Sequence, residues 1–477
     1  MGGIETDYLV VGAGAAGMAF VDALIAACDA DVVMVDRRHR PGGHWNDAYP
    51  FVRLHGPSAL YGVNSRSLGS DRIEQTGPNA GYYPRATAAE ICDYYQRVLD
   101  EQLLASGRVR FYGMSDCISM ARGEHRLVSR LTGDATPVRV RRRVVDARYL
   151  EPSIPATHVP SFDADPGARL IPVNDLVGLD VPASGFTVIG GGKTAMDACL
   201  WLLEAGVPAE AIRWVRPREA WLLDRAFQQP LDLLPRLLEG VSLYLEAAAQ
   251  ADDAPDLFRR LEASGQLIRL DPDVKPTMYR CATVSEAELV RLRSIQDVVR
   301  LGRVTHIGPD RIELAGGSIP ADRGQVHVDC SAAGLRTGPG RPVFADGQIT
   351  LQQIRACQPV FSAALAGYVE ASRDGDAAKN VLCPANPYPD TALDWIGVTC
   401  VAQRAEVVWA ADRDLSSWLQ RSRLNATAGI RAHRDDPLLQ SALARLFTSI
   451  EPAIAKLETF MADSPQPAAG RPAAAGP

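Results

Sequence analysis

The stretch Asp7-Tyr8-Leu9-Val10-Val11-Gly12-Ala13-Gly14-Ala15-Ala16-Gly17 decides the fold. An apolar strand runs into glycines spaced Gly-x-Gly-x-x-Gly, an alanine-rich helix follows, and Asp31–Val35 forms a second strand closed by Asp36. Gly12 allows the tight turn, Gly14 lets backbone approach a pyrophosphate, and Gly17 lets helix and strand pack closely. Free N–H groups and the helix dipole then hold phosphate charge. Asp36 is placed to accept hydrogen bonds from an adenosine ribose, and its charge would repel a 2′-phosphate.

The same pattern returns roughly 180 residues later, too far apart for a short-period solenoid. Phe186–Ile189 reads as a strand, Gly190-Gly191-Gly192-Lys193-Thr194-Ala195 as Gly-x-Gly-x-x-Ala, and Ala211–Val215 as the strand after the helix. Alanine is a permitted third member of the fingerprint. Where the first unit ends in Asp36, the second continues Arg213-Trp214-Val215-Arg216-Pro217-Arg218. A guanidinium can clamp a phosphate bidentately, so this unit favours NADPH over NADH, with Arg216 the first candidate and Arg218 the second. Lys193 and Thr194 open the helix and are candidates for the pyrophosphate side, with solvent exposure the equal alternative for Lys193.

The chain has 477 residues, enough for two or three domains, with 47% hydrophobic and 22% charged residues and a net charge of -7. That balance argues against nucleic acid and anionic membranes as partners. Four lysines stand among 50 basic residues, which reads as genome base composition rather than as guanidinium recognition. The apolar start lacks a basic leader, and no apolar run reaches the ~20 residues needed to span a bilayer, so a cytoplasmic protein is expected. The nine cysteines form no Cys-x-x-Cys pair. This predicts reduced thiols, no zinc ribbon and no dithiol centre. The eight histidines show no ligand spacing, so no metal is expected. Leu439, Leu443, Leu446, Ile450, Ile454, Leu457 and Met461 predict one amphipathic helix that serves packing, and the Pro/Ala/Gly-rich tail 465–477 is expected to be disordered.

Pro41-Gly42-Gly43-His44-Trp45 resembles the Gly-Gly-x-Trp segment of the class B flavoprotein monooxygenases, which include flavin-containing, Baeyer–Villiger and N-hydroxylating enzymes. The resemblance implies that the first nucleotide is FAD and that Gly43, His44 and Trp45 run beside the flavin. The run Tyr49-Pro50-Phe51-Val52-Arg53-Leu54-His55-Gly56-Pro57-Ser58 resembles the Baeyer–Villiger pattern Tyr-Pro-Gly-x-Arg-x-Asp-x-x-Ser. Tyr49, Pro50, Arg53 and Ser58 match it, and His55 stands where those enzymes carry an aspartate. Arg53, His55 and Ser58 are thereby the candidate catalytic residues, an ordinary structural histidine being the equal alternative for His55. Two elements of the family pattern are missing. The linker Phe-x-Gly-x-x-x-His has no counterpart around Val159-Pro160-Ser161-Phe162, and the usual Ala-Thr-Gly reads Asp146-Ala147-Arg148.

The resemblance implies an α/β fold of two Rossmann-like dinucleotide-binding domains, the NADPH domain (166–325) inserted in the FAD domain (1–165 and 326–464). Val326–Cys330 is expected to return the chain to the first domain. The implied activity consumes NADPH and O2 and places one oxygen on a small organic substrate. Nitrogen or another heteroatom is the expected target, because His55 and the missing linker histidine depart from the ketone-oxidising branch. A reductase without oxygen insertion, a Baeyer–Villiger enzyme and a non-catalytic nucleotide sensor are the alternatives. The disulfide-reductase form is expected to be excluded for want of paired thiols.

Overall fold

Residues 3–119, 124–336, 340–345 and 347–463 are described by the computed structural model. The tail 465–477 lies outside them. In β1 (Ile4–Val11) the residues Leu9 and Val10 are fully buried, as a strand flanked on both sides and covered on both faces must be. The chain turns at Gly12, and α1 (Ala15–Ala27) starts with Gly14 as its cap. This helix is apolar almost all round and buries Met18, Phe20, Val21 and Leu24. Next come β2 (Val32–Val35), β3 (Val109–Tyr112) and β4 (Ala135–Asp146), with β1 held between β2 and β4, all parallel.

The second unit starts with β5 (Arg169–Pro172) and β6 (Gly185–Ile189), then α2 (Lys193–Glu204) and β7 (Ile212–Val215). After β8 (Ala220–Asp224) and α3 (Leu234–Gln250) come β9 (Met278–Val284), α4 (Glu286–Arg293), β10 (Asp297–Val299) and β11 (Gln325–Asp329). The sheet order is β10-β7-β6-β11-β5. The strand β11, expected to carry the chain back, is therefore an interior strand of the second sheet, paired with β6 and β5. Its buried run of Val326, His327 and Val328 suits a place with neighbours on both sides.

The return comes later, with β12 (Gln348–Thr350), which pairs with β4 and completes the path β12-β4-β1-β2-β3. The two sheets thus share one strand order around their glycine turns. Helix α5 (Pro359–Ser372) then packs on α1 so closely that a Cβ on Gly367 would lie 2.5 Å from the Phe20 carbonyl oxygen. Helices α6 (Ala392–Ala411) and α7 (Pro437–Ala462) follow. The leucine stripe forms α7, and Leu439 and Ala442 pack with Leu234, Leu237 and Leu238 of α3, which belongs to the second unit. Among the described helices none is long and apolar enough to cross a membrane.

The cysteines depart from expectation. Cys281 and Cys357 are joined in a disulfide across a sequence separation of 76, while the other seven are free. No local spacing announces such a pair; only the fold brings its halves together.

Candidate active site between two nucleotide loops

The two glycine turns are superimposable in their hydrogen bonding. Gly12 N–H donates to Val35 O (2.8 Å) and Gly190 N–H to Val215 O (2.9 Å), with φ of +110° and +144°. One residue further, Asp36 N–H donates to Tyr112 O (3.1 Å) and Arg216 N–H to Val299 O (2.9 Å). Asp36 and Arg216 therefore occupy the same position in two copies of one device, with opposite charge.

At the first turn, a Cβ on Gly17 would lie 2.1 Å from Gly12 O, so only glycine lets helix and turn close. The Asp36 carboxylate accepts N–H bonds from Ala13 (2.7 Å) and Arg38 (2.8 Å). It lines a cavity of about 340 Å³ together with Gly12, Arg38, Arg148, Tyr149 and Arg341. The guanidinium of Arg341 lies over the Tyr149 ring at 4.6 Å. This is a polar, ribose-sized recess with a carboxylate at its wall, and it fits the adenosine end of FAD. Gly14 differs from expectation in detail. Gly43 covers it, since a Cβ on Gly43 would sit 2.9 Å from Gly14 Cα, and Gly42 N–H donates to Ala13 O (3.0 Å). The Gly-Gly-x-Trp segment is thus docked on the turn itself. Next to it, Trp45 Nε1 donates to Tyr61 Oη (2.7 Å), and burial followed by the Arg38 charge pushes His44 down to about 4. Asp36→Ala is expected to weaken FAD retention by about 1.5–3 kcal/mol for each charged hydrogen bond lost. Flavin content after gel filtration checks this; unchanged content would mean that Asp36 only braces the turn.

At the second turn, Gly190 is pressed against Cys330 O (2.5 Å to a built Cβ) and Gly191 against Arg218 O (2.4 Å), but Gly192 faces open space. Gly192 is the surface a pyrophosphate can approach. The arginines are less free than the sequence suggests. Arg216 is buried, its guanidinium lies 4.7 Å from the Trp214 ring centre and 3.3 Å from Glu219, and its Nε has no partner. A guanidinium pre-stacked on Trp214, with its Nε free of a partner, fits a 2′-phosphate that would compete with Glu219 for it. Arg218 is committed to Asp390 (2.9 Å) and to Thr277 O (2.9 Å), which makes it a brace for the loop.

Lys193 is neither exposed nor aimed at the turn. It is buried and paired with Asp197 one helical turn on, and Asp197 also accepts Tyr49 Oη (2.8 Å), which bonds Thr194 as well. Phe51 stacks on Trp201 at 5.0 Å, so the Tyr-Pro segment of the first unit is seated on α2 of the second. Arg53 reaches Arg85 O (3.1 Å), and Ser58 is buried with its Oγ accepting Ala86 N–H (2.7 Å). These contacts tie the segment carrying Arg53 and Ser58 to the stretch at 85–86. Arg53 and His55 are exposed at the surface of this segment, while Ser58 is not. The protein mass around His55, then the Lys193 charge, push its imidazole down to about 4, so it is neutral at pH 7.

Beside it lies a cluster that the sequence did not announce. Glu288 binds Arg85 (2.9 Å) with one oxygen and Arg225 (2.6 Å) with the other, all three being buried. Burial would raise the Glu288 carboxyl, but Lys193, Arg225 and Arg85 together hold it at about 2. The one local signal was Ser285-x-x-Glu288, a capping box at the start of α4.

Residues 10–65 match the model of the NAD(P)-binding Rossmann-like domain. The polycyclic ketone monooxygenase from the thermophilic fungus Thermothelomyces thermophila superposes with a TM-score of 0.51 at 14% identity, over 97% of this chain and 89% of that one. Two Rossmann-type units around paired glycine turns thus give the chain a fold like that of this monooxygenase. Within it, the chain belongs to the family of the uncharacterized protein Rv2000 of Mycobacterium tuberculosis, to which it is 46% identical over 428 residues, 90% of this chain and 79% of the relative. The ferredoxin–NADP reductase of Salinispora tropica is 26% identical over 351 residues, 73% of this chain and 87% of that protein.

Proposed function

We propose that the protein is an FAD-dependent, NADPH-consuming monooxygenase that places one oxygen from O2 on a small organic substrate, at nitrogen or another heteroatom. The observation that carries the two-nucleotide reading is the charge reversal between Asp36 and Arg216 at one hydrogen-bonded position. Gly12, Gly17 and Asp36, with Gly43 to Trp45, would hold FAD; Gly190, Gly192 and Arg216 would hold NADPH. The bound pair supplies hydride transfer and O2 activation.

The chain's own residues supply the rest. Tyr49, Asp197 and Lys193 fix the first unit against the helix of the second turn, which keeps the two loops in one geometry. Phe51 on Trp201 closes the seam with apolar surface and excludes water. His55 is neutral where the ketone-oxidising pattern has a carboxylate, and this supports a heteroatom target.

A second reading, a reductase without oxygen insertion, is supported by the 26% identity to the ferredoxin–NADP reductase over 73% of this chain. Turnover under labelled O2 separates the two. Label in an N- or S-oxygenated product supports the proposal, label in an ester supports ketone oxidation, and NADPH consumption with peroxide as the sole oxygen product supports the reductase.

Arg216→Ala is expected to lose NADPH affinity by about 1.5–3 kcal/mol, a charge-assisted bond's worth, while NADH affinity holds. Titration of both nucleotides reads this. An equal loss for both would assign Arg216 to packing on Trp214.

A further inference from the structure

The disulfide lies where the second nucleotide loop is anchored. The loop after β7 carries Arg216, packs its Arg218 carbonyl on Gly191 and ends at Glu219, whose carbonyl accepts N–H bonds from Thr277 and Met278 (both 3.0 Å) as the chain enters β9. Cys281 stands four residues after Thr277, within β9, where the pairing register with β8 shifts. Beside it, Arg280 binds the Asp390 carboxylate that also holds Arg218. The loop, its brace and Cys281 therefore form one connected unit.

Cys357 comes from the first unit. It lies between β12 and α5, past the carboxyl end of a parallel strand, which is the edge where such sheets bind ligands. Its N–H donates to Gln353 Oε1 (2.9 Å). Both cysteines hold left-handed backbone, with φ of +53° and +57°, and only two other non-glycine residues among those described do so. Side chains rarely take that conformation, and it persists where the surroundings enforce it. What the two positions share is the bond that joins them. Cys281 is buried, but Cys357 is partly open, so an incoming thiol has access from one side.

We infer that Cys281–Cys357 is a reversible redox site through which a cellular thiol sets the affinity of the second loop for its nucleotide; this rests on that loop being the NADPH site. A thiolate attacks Cys357 Sγ, the disulfide breaks, and Cys281 leaves with the electron pair and takes up a proton. A second thiol attacks the mixed disulfide, releasing the small-molecule disulfide and the Cys357 thiol, so two electrons pass from two thiols to the pair. Freed of the bond, Cys281 can leave its left-handed conformation, and the β9 register that anchors Glu219 and Arg218 relaxes.

The test uses the full FAD-loaded chain. Thiol titration after denaturation should count seven thiols before treatment with a dithiol and nine after it. The Kd for NADP+ should rise at least about fivefold on reduction and return on reoxidation with a small-molecule disulfide. The double variant Cys281→Ser/Cys357→Ser should keep the weaker Kd whatever the treatment. If that variant does not fold, reduction and reoxidation of the unaltered chain decide alone. One Kd in both states, or nine thiols from the outset, overturns the inference and leaves the NADPH assignment standing. Absence of NADP+ binding in both states overturns the assignment and the inference together.

Discussion

Glu288→Ala should lower the unfolding free energy by about 3–5 kcal/mol, the cost of removing one partner from a buried ion pair. Among the described residues the carboxylate is the one hydrogen-bonded counter-charge between two buried guanidiniums, and Nε of both Arg85 and Arg225 already lacks a partner there. The variant would leave two buried cations, with Lys193 close by, without a counter-charge. It would also remove the bond to Ser285 N–H (3.0 Å) that caps α4. Glu288→Gln keeps the cap and the volume and should recover only part of the loss. Chemical denaturation at neutral pH measures both, and a loss below about 1 kcal/mol for the alanine variant would show that the arginines find other partners.

Acid should act on this cluster last. The folded Glu288 is depressed to about 2, so its contribution is fully present above the ordinary carboxylate range and is lost as pH falls through 2. His327, buried in β11 and pushed down to about 4 by burial and then Arg213, acts earlier. Below pH 6.5 the unfolded chain protonates this histidine while the folded chain does not, so stability falls between 6.5 and 4. His327→Gln should make that part of a stability-against-pH curve shallower, the slope left over coming from His44 and His55, and leave the limb below 4 in place.

Two glycine substitutions should separate folding from binding, with effects as large. Gly17→Ala places a Cβ 2.1 Å from Gly12 O, a backbone atom that cannot swing away. The helix must back off the turn, and at least a tenfold loss of FAD content with a clear fall in Tm is expected. Gly192→Ala puts its methyl into open space, from an extended backbone at φ −94° that alanine adopts freely. Tm should hold, while the Kd for NADPH rises at least about tenfold because the methyl occupies the approach to the pyrophosphate. Equal NADPH binding by Gly192→Ala and the unaltered chain would remove Gly192 from the site.

These outcomes also mark what could be read without coordinates. The turn at Gly12, the repeat at Gly190 and the opposite charges at Asp36 and Arg216 are set within about thirty residues of contiguous chain, where spacing alone fixes position. The sequence therefore determined two βαβ nucleotide units and the sign of charge that each offers a ribose. The capping box at Ser285 and Glu288 was legible as a helix start, but its second use was not. Arg85 meets Glu288 across 203 residues, and Asp390 meets Arg218 across 172. The tertiary structure alone decided that Arg218 pairs with Asp390, that Lys193 pairs with Asp197, that β11 stays in the second sheet, and that two distant cysteines join. Each is a choice among several chemically equivalent partners, and folding makes it by burying some charges and sulfurs together while leaving the rest to water.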